Sequence, residues 1–242
     1  MTQPATFFQA DRLIKQSLFD AGRLNAGATP SDTLFDDCLQ RLTDLVAYYQ
    51  TKGCKLWLNA LQSITLVAGT KSYSLGPSGA IIAEKPLRVL EGWYVITSNG
   101  SRRPLDPLSW NTYYGLGNVT AQGEVTGYFV DKQREDLIVH LWSNPSTSAA
   151  ANGTVELLIQ RFYSGPTEIT EQVLFPPEWY LALRWGLADE LATTAPPALA
   201  QRAAIRAREL LAELEAWDVE DAPVRFTVGH NSQAGFPSRF NR

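Results

Sequence analysis

The stretch that decides the fold is LFPPEWYLALRWGLADEL, residues 174–191. Pro176 and Pro177 end the extended run before it, and proline suits a first helical turn because its missing N–H would have no partner there. Apolar residues then recur at helical spacing; they are Tyr180, Leu183, Leu187 and Leu191. Ala182 and Gly186 lie on another face, where small side chains let a neighbour approach closely. A helix with two such faces belongs between partners, so we expect it to close a bundle begun by the N-terminal helices.

Those partners are expected in the N-terminal segment, residues 1–58, which predicts two helices joined by a short loop. The first covers residues 7–21, with Gly22 as its candidate C-cap. The second begins with a capping-box pattern over residues 29–32 and is expected to end at Gly53. Two helices with so short a connection predict an antiparallel helical hairpin.

Residues 59–170 change to short alternating runs and predict an inserted β domain. Ala68-Gly69-Thr70 indicates a first hairpin. Asn99-Gly100 follows a predicted strand over residues 87–97 and is the strongest short-range hairpin signal in the chain. Further strands are predicted at residues 127–130, 137–142 and 155–163. Strands at this spacing predict a small antiparallel sandwich or barrel.

Residues 171–221 return to helix and complete the predicted bundle. After the break at Pro196-Pro197, a last helix is expected over residues 198–218. The predicted fold class is therefore α+β: a helical bundle built from both chain ends, with the β domain inserted between them and an extended C-terminal arm.

That arm covers residues 222–242, which are rich in Gly, Pro, Ser and Asn and contain no acidic residue. Arginines and phenylalanines punctuate it: Arg225, Phe226, Phe236, Arg239, Phe240 and Arg242. The rings could fill pockets of a partner and the guanidinium groups could pair with its carboxylates. We therefore predict a peptide arm that lies in a partner's groove, and the alternative is an arm folded back on its own domain.

Composition narrows the function classes. The chain has 242 residues and a formal net charge of −4. Its mild acidity argues against a protein whose main role is to grip DNA by its phosphates. No apolar run has the length of a membrane span, and the first residues lack the pattern of a secretory signal. Cys38 and Cys54 are expected to be reduced thiols.

Catalytic and cofactor motifs are not found, so the sequence predicts no enzyme and no cofactor. No His, Cys, Asp or Glu cluster has metal-ligand spacing, and no glycine loop suits a phosphate. His140 is expected on a sheet face rather than in catalysis. The carboxylates of residues 131–136 fit a solvated turn better than an acid–base pair. Three tryptophans could form a sugar-binding platform, although core or interface positions are favoured; they are Trp93, Trp110 and Trp142.

Short stretches along the chain carry a family resemblance. They lie at residues 21–22, 26–31, 56–57, 64–75, 104–110, 127–131, 141–145, 175–179, 182–183 and 187–188, and ITLVAGTKSYSL at 64–75 is the most specific. In this order they resemble the head-to-tail adaptor family of tailed phages, the packaged-DNA stabilisation and tail tubular protein A type found in short-tailed phages. The resemblance implies the same bundle with an inserted β domain.

The resemblance also implies a role in the virion, at the head–tail junction, for a protein made in the host cytoplasm. Such proteins form rings, commonly of twelve subunits, beneath the portal protein; they extend and seal the DNA channel and dock tail tube, nozzle or fibre proteins. Their C-terminal arms often bind the portal, which agrees with the predicted arm. An acidic channel would repel DNA phosphates, so double-stranded DNA would pass without sequence-specific binding.

Three alternatives stay open at this point. The first is a different ring of the same junction, a head-completion or stopper protein of a long-tailed phage, although the large β insertion disfavours it. The second is a carbohydrate-binding β module that uses the tryptophans. The third is a hydrolase that uses carboxylates of the β region.

Overall fold

The computed structural model of the chain describes residues 9–25, 27–52, 58–77, 79, 81–82 and 84–217. The fold is mixed α+β. Its helices are α1 (Ala10–Asp20), α2 (Asp32–Thr51), α3 (Trp110–Tyr114), α4 (Thr147–Asn152), α5 (Tyr180–Leu191) and α6 (Pro197–Trp217). Its strands are β1 (Asn59–Thr65), β2 (Ser72–Gly76), β3 (Ile81–Ile82), β4 (Arg88–Ile96), β5 (Arg102–Pro104), β6 (Asp106–Leu108), β7 (Gln122–Gly123), β8 (Gly127–Lys132), β9 (Leu137–Trp142), β10 (Asn144–Pro145) and β11 (Gly153–Gln160). None of the described helices combines the length and apolar character that crossing a membrane requires.

The strands form two larger sheets and one short pair. One sheet has the order β1-β11-β4-β5 and is antiparallel throughout. The other has the order β3-β2-β9-β8-β6, with antiparallel pairs inside and parallel pairs at both edges. β7 and β10 pair in parallel. The sheets are thus mixed rather than purely antiparallel, and in the described part of the chain none closes into a barrel.

The two larger sheets contribute to one apolar cluster. Leu75, Leu137 and Leu141 come from the five-stranded sheet, and Val155 and Leu157 come from the four-stranded sheet; all five are fully buried. Alternate residues along β9 and β11 point into this cluster, as a period of two requires.

The β region is entered and left at neighbouring points. β1 pairs with β11 from Asn59↔Gln160 onwards, and the Arg161 N–H donates to the Leu58 carbonyl at 2.9 Å. Beyond β11, the buried Gln50 of α2 holds the departing chain: its amide donates to the Tyr163 carbonyl and accepts from the Tyr163 N–H, both at 2.7 Å. These contacts place the start and end of the β region beside the C-terminal end of α2.

The four long helices share a second apolar cluster, and α5 contacts the other three. Seven of the twelve residues of α5 are buried. A Cβ on Gly186 would lie 2.2 Å from the Tyr49 hydroxyl oxygen of α2, so only glycine allows this approach. Ser17 of α1 donates to the Arg184 carbonyl at 2.9 Å. The expectation that small residues of this helix admit close neighbours is confirmed at Gly186.

The end of α1 follows the prediction and its start does not. Gly22 has φ +70°, and the N–H groups of Gly22 and Arg23 donate to the carbonyls of Phe19 and Leu18, the pattern of a Schellman cap. The predicted start at residue 7 is wrong, because Gln9 is extended and forms a bridge with Gln172. The N–H groups of Ala10 and Asp11, which have no partner within the helix, donate instead to the carbonyls of Glu171 and Ile169.

The start of α2 was also misplaced. The helix begins at Asp32 with Ser31 as N-cap, two residues after the predicted cap, because Ser31 is extended and its carbonyl accepts the first helical hydrogen bond from Phe35. The Ser31 hydroxyl lies 3.2 Å from the Thr33 hydroxyl and caps no backbone N–H. The predicted end at Gly53 lies outside the described residues, and the helix ends at Thr51.

One hairpin was predicted correctly and the other was not. β4 and β5 pair antiparallel around Asn99-Gly100, where Gly100 has φ +68°. The hairpin expected around Gly69 is wrong, because β1 and β2 belong to different sheets. Gly69 has φ +77° and its N–H donates to the Pro145 carbonyl, so this turn moves the chain from one sheet to the other.

The C-terminal helices begin near their predicted positions. A 3₁₀ turn over Pro177–Trp179 opens α5, and Pro197 is the first residue of α6. Trp179 in that turn is fully buried, beside Phe175 at 6.0 Å between ring centres. The proline pairs therefore start both helices, as their fixed φ favours.

Candidate functional site

The predicted portal-binding arm lies outside the described residues. Its six named residues fall within 218–242, and the description ends at Trp217, the last residue of α6. Trp217 is 66% exposed. The described surface that precedes the arm is therefore an accessible helix end.

An apolar groove with a basic rim lies on the outer side of α5 and α6. We call it the α6 groove; it has a volume of about 430 Å³ and is lined by Trp185, Ala198, Gln201, Arg202, Ile205, Arg206 and Glu209. The Arg202 guanidinium lies 5.5 Å from the ring centre of Trp185, which is 8% exposed. Ile205 is 49% exposed. A floor of apolar side chains below arginines suits a partner that offers an apolar side chain next to a carboxylate.

A second groove runs between α1 and the loop before α2. Phe19, Leu24 and Lys15 line it together with Arg184. Arg184 is bound to Asp20 through two contacts, of which the Nη2–Oδ1 hydrogen bond is 2.8 Å long. Arg184 is thus paired with a carboxylate that is only 8% exposed, whereas Arg206 of the α6 groove pairs with the exposed Glu209.

A ring cluster covers part of the five-stranded sheet. α3 places Tyr113 against Phe129 at 5.3 Å between ring centres, and His140 stacks on Phe129 at 5.7 Å. His140 Nδ1 lies 2.8 Å from the Ser72 hydroxyl, its partner directly across β2 and β9. Burial lowers the pKa of His140, which favours the neutral imidazole. These contacts agree with a sheet-face histidine.

The other candidates from the sequence have structural partners. The carboxylates of residues 131–136 lie at the end of β8 and on the turn to β9, where the Gln133 side chain donates to Asp131 at 2.7 Å. Among the described residues, no group of three or more His, Cys, Asp and Glu side chains could hold a metal ion.

The three tryptophans lie on separate elements rather than along one strand face. Trp93 of β4 faces the Arg102 guanidinium at 5.8 Å. Trp110 of α3 packs on Tyr114 at 4.6 Å, and Trp142 of β9 donates to the Asn118 carbonyl. Each ring thus has a local partner in the fold.

Sequence reasoning missed the α6 groove, because its floor combines Trp185 of α5 with Ile205 of α6. The available signal was Ile205 itself, an apolar residue between Arg202 and Arg206 in a helix whose inner face is formed by Ala203, Ala207 and Leu210.

Comparison with known proteins gives a family match. A search of curated proteins finds no match. The family model described as SU10 adaptor protein matches residues 10–227, a range that starts with α1 and passes the end of α6. The chain therefore belongs to the SU10 adaptor protein family, a family of phage head-to-tail adaptors, which are structural components of the virion at the head–tail junction and not a class of enzymes.

Proposed function

We propose that twelve copies of this protein form a ring beneath the portal, extend and seal the DNA channel, and dock tail tube, nozzle or fibre proteins. The observation that carries the proposal is the family match over residues 10–227, since adaptors of this kind interact with portal and tail proteins. The copies are made in the host cytoplasm and join the particle during assembly.

The division of labour within the subunit is part of the proposal. Residues 1–58 and 171–221 form the bundle that packs against neighbouring copies, and residues 59–170 form an inserted β sandwich that faces the tail components. Two separate apolar clusters support this division. The first draws its buried residues from both chain ends, and the second draws them from the strands and loops between.

Residues 222–242 form the arm that binds the portal. Its supporting features are chemical: three arginines, three phenylalanines and no acidic residue. Phenyl rings bind in apolar pockets and guanidinium groups pair with carboxylates in bidentate geometry. The described part of the chain before the arm ends at Trp217, the last residue of α6, which is exposed.

The net charge of −4 per subunit supports the proposal that DNA passes through the channel without being bound there. A ring of such subunits repels DNA phosphates, so the duplex passes without sequence-specific contacts.

A pull-down with a dodecameric portal tests the proposal. The full chain is compared with a chain cut after Asp221, and with a full-length variant in which Phe226, Phe236 and Phe240 are replaced by alanine. We expect the full chain to saturate at one copy per portal subunit and both variants to bind at least roughly tenfold more weakly. Equal binding of all three would contradict the role of the arm, and no binding of the full chain to the portal of its own phage would contradict the adaptor function.

A further inference from the structure

The outer face of α2 and the first part of the outer face of α6 carry opposite charge. α2 contains four aspartates and one arginine. Its exposed side presents Asp36, Asp37, Gln40, Asp44 and Tyr48, which we call the α2 acidic face. Before Glu209, its first acidic residue, α6 instead presents three exposed arginines, at positions 202, 206 and 208.

The two faces also match in their apolar contacts. Tyr48 is 54% exposed at the edge of the α2 acidic face. The α6 groove offers Ile205, 49% exposed, next to Trp185, which is 8% exposed beneath the Arg202 guanidinium. A tyrosine ring is a suitable anchor for such a groove, because it buries a large apolar area with little loss of side-chain entropy.

The spacing of the charges agrees with this docking. Asp44 lies four residues before Tyr48, which is one helical turn or about 6 Å along the axis. Arg202 and Arg206 lie three residues before and one residue after Ile205, within the same distance of the groove floor. These spacings allow the Asp44 carboxylate to reach the arginines of the rim when the Tyr48 ring lies beside Ile205.

Two of these charges have exposed partners that are weak enough to exchange. Asp37 pairs with Arg41 at 3.1 Å and Arg206 pairs with Glu209 at 3.4 Å, each within its own helix. All four side chains are more than a third exposed. Exposed pairs of this kind contribute little to stability, so their charges remain available to another molecule.

From these observations we infer that the α6 groove binds the α2 acidic face of a second copy of this chain, with Tyr48 on the groove floor and Asp44 between the arginines. The groove and its occupant are formed by different helices of one subunit, so the contact is head-to-tail. Contacts of this type close into a ring when the rotation between neighbours allows it. The inference rests on the proposed ring and adds which surfaces form it.

Charge reversal provides a test in which misfolding can be recognised, because two misfolded variants would not regain assembly when they are mixed. One full-length variant carries Arg202→Glu and Arg206→Glu, and the other carries Asp36→Arg and Asp44→Arg. In each variant alone, every neighbour contact joins two faces of like charge. In an equimolar mixture, every contact between the two different variants again joins opposite charges, so an even-numbered ring can alternate them.

Native mass spectrometry of the copies bound per portal is the readout, at low and high salt. We expect each variant alone to fill the portal at least roughly tenfold less than the wild type, and the mixture to restore full occupancy with a one-to-one ratio. A matched control carries Lys132→Glu and Arg134→Glu, the same change of charge at the end of β8 and on the turn after it, and should assemble normally.

Three results would overturn the inference: full occupancy by either variant alone, a mixture that stays as poor as its components, or equal loss in the control. If the wild type does not bind the portal, the adaptor function fails by itself. The inference is then decided with the protein alone, by whether the mixture of variants self-associates as the wild type does in sedimentation.

Discussion

Replacing Gly186 with alanine should destabilise the protein, against the general preference of helices. Alanine is favoured over glycine inside a helix by about 1 kcal/mol. At this position, however, the new Cβ would lie 2.2 Å from the Tyr49 hydroxyl oxygen, and 3.1 Å from Leu45 Cδ2. Atoms in ordinary van der Waals contact lie about 1 Å or more further apart than the new Cβ and the Tyr49 hydroxyl oxygen would.

The size of the effect follows from these distances. The hydroxyl must move by about 1 Å within a packed core, because Tyr49 is buried, and overpacking of this kind costs about 1–3 kcal/mol. After subtraction of the helix preference, we expect a net loss of about 1 kcal/mol. Removing the hydroxyl with Y49F leaves the nearest contacts at 3.1 and 3.2 Å, which shifts of a few tenths of an ångström can relieve. In the Y49F background, G186A should therefore be neutral or stabilising by up to about 1 kcal/mol.

A double-mutant cycle measures this contact. Urea unfolding followed by circular dichroism gives the free energy of unfolding for the wild type, G186A, Y49F and the double variant. We expect a coupling energy of about 1–2 kcal/mol, above the roughly 0.5 kcal/mol expected for independent sites. Ala212→Gly, at an exposed position of α6, is the control for helix preference alone. Stabilisation by G186A in the wild type, with additive effects in the cycle, would show that Tyr49 does not require the glycine.

Two further predictions concern polar groups of the helical cluster. Arg184→Met should lower the free energy of unfolding by about 2 kcal/mol, because it leaves the Asp20 carboxylate, 8% exposed, without its guanidinium partner. The D20N/R184M double variant should lose less stability, because it removes that charge as well. Equal losses for the two variants in urea unfolding would contradict this. Burial raises the pKa of Cys38 to about 11 from 9.0, so the stability gained from its neutral thiol is complete below about pH 9 and is lost as the pH rises towards 11. In a Cys54→Ser background, iodoacetamide should label Cys38 slowly at pH 8 in the folded protein and rapidly in urea, and rapid labelling of the folded protein would count against its burial.

Local signals in the sequence were sufficient for several elements. Pro176-Pro177 and Pro196-Pro197 marked the starts of α5 and α6, because proline fixes φ within the residue itself. Asn99-Gly100 marked the β4–β5 hairpin, because a tight turn depends on the conformation of its own two residues. Ser146 could have revealed α4 in the same way, since its hydroxyl accepts from the Ala149 N–H at 3.1 Å.

Elements that depend on distant partners were not predictable. β1 alternates like one arm of a hairpin, yet its partner is β11, and the pairing Thr65↔Thr154 crosses most of the β region. Alternation shows that a strand has one buried face and does not identify its neighbour. The α6 groove was not predictable for the same reason, because its floor exists only after α5 and α6 have packed together. The predicted arm depended only on composition, and it remains a prediction.

The position of α5 in the chain explains why stability and assembly can be tested separately. A helix that is apolar on nearly every side must be buried by its neighbours, and α5 is covered by α1, α2 and α6. Ser17 of α1 and the Arg184 carbonyl are 167 residues apart in sequence, and the β region lies between them. This core therefore forms only after the β region has been synthesised. A change in α5 therefore acts on the whole helical unit. Arg202 and Arg206 instead lie on the exposed face of α6, so reversing their charge should change the contacts between copies and leave the fold of each copy intact.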